Sequence, residues 1–214
     1  MSQHTLTLLR FTYKKLKEKL TVSDSKKLFH EKFPFVIPGL YKRIVDDMLV
    51  ELNLLNHQNE FNQDYLFCVG LTETFKELMK GYQPEKHLDL LFKSLCSSTN
   101  FEANEINEIS QKSLKEFNNK TSNEILKLLI EKSNSKLYSS RILNLAIFIL
   151  LSNAQDLKEK KESDINKITS DIFEELNLST NKAEKDIGIY KSSISKMEQA
   201  KELIEELRTK DKKK

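Results

Sequence analysis

The side chains able to do chemistry are few and scattered: four histidines (His4, His30, His57, His87), two cysteines (Cys68, Cys96) and adjacent carboxylates such as Asp46 with Asp47 and Glu205 with Glu206. A metal-binding or acid–base helix needs its donors about one turn apart on one face, as in HExxH or the Glu-x-x-His pairs of di-iron bundles. No histidine stands in either pattern; His57 and Glu60 have the reverse order in an expected loop, where a surface pair is the simpler reading. Neither cysteine is spaced for a metal, and neither has a histidine near it on the same expected helical face. Two cysteines cannot build a disulfide framework, and both fall at apolar helical positions where a free thiol behaves as a small hydrophobe, so a reducing compartment is expected. There is no Gly-x-Ser-x-Gly elbow, and Gly39, Gly70, Gly81 and Gly188 are too dispersed to cradle a phosphate. Paired carboxylates on charged helix faces are ordinarily solvated, and catalysis by them needs a shifted pKa that a sequence does not display. A triad assembled from distant segments stays open. Residue chemistry therefore predicts no catalytic residue, cofactor, metal or small-molecule substrate, and points to a helical binding module.

The elements that would have to position any site are helices. Four Gly, three Pro and no Trp in 214 residues leave little turn chemistry for a many-stranded sheet. Hydrophobic residues at 38% supply a core, and charged residues at 31% supply a heavily charged surface, for one or two domains at most. The net charge of +3 is unevenly placed: residues 1–20 carry +4, residues 209–214 carry +3, and residues 21–208 carry 26 basic against 30 acidic groups. A basic balance confined to two tails is not the footprint of a nucleic-acid-binding domain. The longest unbroken apolar run, Leu145 to Leu151, is seven residues, against about 20 for a bilayer span. Lysines mixed through the N-terminal apolar residues, without an A-x-A-like site, do not read as a secretory signal.

Apolar residues recur at three-and-four spacing along most of the chain. A basic amphipathic extension is expected over 1–20, able to lie on an anionic membrane or, more simply, to dock on the body. The body, 21–178, is expected to hold a short helix over 23–32, a helix opened by Pro38 and Gly39, one over 64–80 stopped by Gly81 in a left-handed cap, and one restarted by Pro84 as a first-turn proline. Helices follow over 102–118, from a Thr121–Glu124 capping box, and over 142–151, where Asn144 is the one polar residue and the centre of the core is expected. After a charged linker, 158–162, a helix runs through Ile165, Ile168 and Ile172. The segment 179–214 carries a heptad seam at Ala183, Ile187, Tyr190, Ile194 and Met197, which Lys201 interrupts. It is expected to project as a long helix or coiled coil, with a bend at Gly188.

Several runs resemble the thylakoid formation protein family, also called the photosystem II biogenesis family, of oxygenic phototrophs. They are Thr21-Val22-Ser23-Asp24-Ser25-Lys26; Leu40-Tyr41-Lys42-Arg43-Ile44-Val45-Asp46-Asp47-Met48-Leu49-Val50-Glu51-Leu52; Met79-Lys80-Gly81-Tyr82-Gln83-Pro84-Glu85; Leu91-Phe92-Lys93-Ser94-Leu95-Cys96; Tyr138-Ser139-Ser140-Arg141; and Lys185-Asp186-Ile187-Gly188-Ile189-Tyr190-Lys191-Ser192 with Lys196-Met197-Glu198-Gln199-Ala200. The resemblance runs from about residue 21 to the C-terminus. Two positions depart from the pattern: Phe35-Val36 stands where Arg-Pro is expected, and Asn53 where a histidine is common. The resemblance implies an all-helical protein without an active site, peripheral to the cytoplasmic side of thylakoid membranes. It further implies photosystem II assembly intermediates or the FtsH membrane protease complex as partners. The competing expectation is a self-associating coiled-coil scaffold without a protease role.

Overall fold

The computed structural model describes residues 20–132 and 137–211, with side chains through Leu203. The expected amphipathic segment of residues 1–19 and the side chains of Glu205 and Glu206 lie outside that description. The described residues form α1 (Val22–Lys32), α2 (Gly39–His57), α3 (Tyr65–Leu78), a 3-10 turn at Glu85–His87, α4 (Leu88–Ser98), α5 (Ala103–Phe117), α6 (Ser122–Lys132), α7 (Arg141–Ser152), α8 (Glu162–Glu175) and α9 (Thr180–Asp211). The fold is all-α, with no strand among the described residues.

Helix starts follow from capping chemistry. Thr121 and Glu124 close the expected capping box, with Thr121 N donating to Glu124 Oε2 at 2.8 Å and Glu124 N to Thr121 Oγ1 at 3.3 Å. Thr21 and Asp24 form a second box at α1. Asp64 and Ser140 accept from Phe67 N and Leu143 N, capping α3 and α7. Stops use asparagine more than glycine: Asn100 and Asn177 take positive φ just past α4 and α8. Phe101 N and Leu178 N then bond back to the Cys96 and Phe173 carbonyls at 2.9 Å each, the Schellman pattern. A chain with four glycines thus closes two helices with a side chain that tolerates the left-handed region. Gly81 has φ +79 as expected, but two residues beyond the Met79 cap, so it turns the connecting loop rather than ending α3. Pro84 caps the short 3-10 turn and stands four residues before the start of α4, instead of opening the helix as expected.

Two hydrophobic clusters share α3 and α7. The first gathers α1, α2, one face of α3, α4 and the start of α5; the second gathers the other face of α3 with α6, α7, α8 and α9. Nine of twelve residues of α7 are buried, as its all-round apolar pattern requires, and ten of fourteen in α3. Gly70 makes the close approach possible: a Cβ there would lie 2.3 Å from the Ile142 carbonyl oxygen. The buried Thr72 and Ser110 hydroxyls meet at 2.5 Å and link α3 to α5.

The C-terminal segment differs from expectation. It is one helix, continuous through Gly188, but its heptad seam does not project. Ala183, Ile187, Tyr190 and Met197 are buried against the body, chiefly against α7 with further contacts to α8 and α3. An intramolecular apolar face of matching period is always at hand, whereas a second helix must be recruited at an entropic cost, so the seam closes on its own chain. Lys201, where the repeat breaks, lays its aliphatic stem over Gly81.

Candidate functional site

The residues singled out for chemistry stay apart. His30 stands edge-on to Phe29, His57 Nδ1 lies 2.7 Å from the Asn53 carbonyl oxygen, and His87 stacks on Phe35 at 3.8 Å; His4 lies outside the described residues. Among the described residues, no group of three or more His, Cys, Asp or Glu is placed to hold a metal. Cys68 and Cys96 are buried free thiols; burial pushes Cys68 up to about 12 and Cys96 higher still, which suppresses the thiolate needed for attack. Asp46 pairs with Lys26 and Lys42 at 3.5 and 3.8 Å, and Asp47 with Arg43 at 4.0 Å, so both are solvated surface carboxylates.

The polar chemistry that the fold does assemble lies where α2, α7 and α9 meet. Glu51 of α2 forms an ion pair with Arg141, the first residue of α7. The two side chains are 17% and 35% exposed, which makes this the most shielded ion pair among the described residues. Burial raises the Glu51 pKa; Arg141 opposes the shift through charge and hydrogen bonding, and Asp186 adds to it by repulsion. The Ile142 backbone N–H, at the amino end of α7, also favours the Glu51 carboxylate. Asn144, one turn into α7 and 1% exposed, donates from Nδ2 to Asp186 Oδ2 at 2.8 Å, which fixes α9 to α7. Two carboxylates and one guanidinium are thus held at the root of the last helix. That arrangement locks three helices together; it presents no nucleophile beside a base.

A second junction joins other motif runs. Tyr41 OH donates to the Lys80 carbonyl at 3.1 Å, and its ring meets Tyr82 edge-on at 5.1 Å, beneath the Gly81 turn covered by Lys201. Asn53 Nδ2 donates to both the Leu20 carbonyl and Ser25 Oγ at 2.8 Å, tying the start of the described chain to α2. Runs far apart in sequence therefore meet in space. Sequence reasoning did not single out Glu51, Arg141 or Asp186; the available signal was Asn144, one amide in an otherwise apolar run, which needs a buried polar partner.

Residues 21–214 match the model of a family described as Thylakoid formation protein. The protein Thf1 of Prochlorococcus marinus (strain MIT 9312) is 78% identical over 199 residues, spanning 93% of this chain and 99% of its own. Thf1 of Prochlorococcus marinus subsp. pastoris (strain CCMP1986 / NIES-2087 / MED4) is 70% identical over 198 residues, spanning 92% and 98%. A solved structure of Psb29 superposes with a TM-score of 0.80 at 27% identity, covering 91% of this chain and 98% of that one.

Proposed function

Because the chain belongs to the thylakoid formation protein family, we propose that it serves thylakoid biogenesis and photosystem II assembly by binding and stabilising FtsH protease complexes at the membrane surface. The role is that of a non-enzymatic accessory protein. Family membership over residues 21–214 carries this reading. The polar junctions support it, because the Glu51–Arg141 pair and the Asn144–Asp186 hydrogen bond hold helices together rather than forming a reactive site.

No helix of the described residues is long and apolar enough to cross a membrane. The reading takes its placement, peripheral and on the cytoplasmic side of the thylakoid, from family membership. Photosystem II assembly intermediates are its second class of partner. The scaffold alternative drew on the heptad seam, and that seam is occupied by the body through Met197. The test is affinity capture of the tagged full chain from gently solubilised photosynthetic membranes, with FtsH subunits and photosystem II intermediates quantified against an untagged control. Enrichment of FtsH is the expected result; recovery of the chain alone, or only with itself, overturns the protease part.

A further inference from the structure

We propose that the seam between α2 and α9 is a docking groove for an amphipathic helix that carries acidic residues along one flank. The inference rests on reading the chain as a binding protein and names the surface and the chemistry of its partner. Three adjoining depressions share Asp47 and Ile189 and run the length of that seam. The end depressions, of about 540 and 600 Å³, lie between Leu40 and Met197 and between Leu54 and Lys182. They are joined by a narrower, more enclosed stretch floored by Ile142 and Leu145 and lined by the Glu51–Arg141 pair. From Leu40 to Leu54, and from Lys182 to Lys196, each wall is fifteen residues long, a span of about 21 Å at the helical rise. That length seats a partner helix of about four turns.

The walls differ in a way that selects the occupant. Apolar contact is on offer from Leu54 and Ile189, which are 52% and 46% exposed on opposite sides. The α9 wall is otherwise small: a Cβ added at Gly188 would meet nothing within 4 Å, and Ser192 and Ser193 continue the face. Small residues let a helix approach closely. On the α2 wall, Arg43 is answered by Asp47. On the α9 wall, Lys185 and Lys196 are exposed, and neither has a carboxylate within ion-pairing distance among the described residues. They stand eleven residues apart, about 16 Å along one rim. A partner with carboxylates on that flank gains attraction along its whole length. The chain's own basic segment of residues 1–20, at +4, has the wrong sign. A flat anionic bilayer cannot enter a trough walled by two helices.

The test uses two synthetic fifteen-residue helical peptides with the same leucine ridge, one flanked by glutamates and one by lysines, titrated by fluorescence anisotropy against the full chain. The Glu-flanked peptide is expected to bind about tenfold tighter at low salt than its twin, as charge steering predicts. Ile189→Ser is expected to weaken it about tenfold through lost apolar burial, with an unchanged thermal midpoint. The double charge reversal Lys185→Glu/Lys196→Glu is expected to exchange the preference between the twins. Equal binding of the twins, or binding indifferent to both variants, overturns the groove. So does a dimer in sedimentation that dissociates with Ile189→Ser, which makes a second copy the occupant, or peptide affinity that appears only when residues 1–19 are removed. Because the peptides contain no protease sequence, groove binding with a failed FtsH capture refutes the proposed function alone, and the reverse refutes the groove alone.

Discussion

Arg141 is the residue on which the buried charge balance turns, because it is the counter-charge of Glu51 and opens α7 at the same time. Burial raises Glu51 above its ordinary value of 4.5. The folded chain therefore holds this proton more tightly than the unfolded chain does. The group's stability contribution is fully present below the unfolded value and is lost as pH rises through the raised folded value. Arg141→Met removes the charge that limits this loss. Breaking a shielded pair from one side costs about 3 kcal/mol or more when fully buried, and about 1–3 kcal/mol is expected here because a third of Arg141 is exposed. Urea denaturation at pH 7 and pH 5 checks it: the destabilisation should shrink at pH 5, where a more protonated Glu51 needs no partner. Adding Glu51→Gln to that variant should recover part of the loss. At Gly81, φ +79 and the Lys201 stem together predict that alanine costs about 1–2 kcal/mol, readable as a lowered urea midpoint with an unchanged slope. Of these residues, Gly81 was legible from its place after an apolar run; Glu51 and Arg141 were not, since 90 residues of chain separate two groups that only the packing of α2 on α7 brings together.

Helices were legible because each announces itself through local chemistry: a cap, a three-and-four stripe, a stop. The Thr121 box and the all-apolar α7 are as expected. What periodicity did not reveal was the partner of each stripe. A seam at Ala183, Ile187, Tyr190 and Met197 specifies that one face is buried, yet says nothing of whether a second chain or the same chain covers it. The body covers it, and the consequence is testable. Truncation after Ser179 is expected to strip cover from Leu143, Ala146, Leu150 and Phe173, giving a lower thermal midpoint and binding of a hydrophobic dye rather than a stable, merely monomeric body. A dye-silent truncated chain with an unchanged midpoint overturns this. The α3–α7 contact makes a sharper prediction at Gly70, where a methyl group would collide with the Ile142 backbone. Gly70→Ala is expected to cost about 1–3 kcal/mol as overpacking, measurable by thermal unfolding.

At the scale of the whole molecule, charge and fold are separable. Residues 21–208 carry four more acids than bases, while the basic surplus lies in the two tails. Any electrostatic attachment to an anionic membrane therefore belongs to the tails, and it is screened within about 8 Å at physiological salt. Flotation with phosphatidylglycerol vesicles is expected to retain the full chain at low salt and to release it at high salt. A chain trimmed to residues 21–208 should not float at either, and flotation of that body overturns the assignment. The proposed groove between α2 and α9 carries Lys185 and Lys196, neither with an ion-pairing carboxylate among the described residues, which puts the proposed partner recognition on a surface apart from the tails.

By itself the sequence determined the class of this protein. Few glycines and prolines, helical periodicity throughout, dispersed histidines and cysteines, and motif runs in family order led to a helical accessory protein without catalytic machinery, because those features are local or ordered along the chain. Tertiary packing settled that α3 shares the centre with α7, that the last helix packs on the body instead of projecting, and that Glu51 with Arg141, and Asn144 with Asp186, meet in one half-buried polar cluster. The reason is physical: a stripe of side chains encodes how much surface a helix must bury, whereas which surface buries it depends on the competition among all available faces, and that competition is settled only in the folded chain.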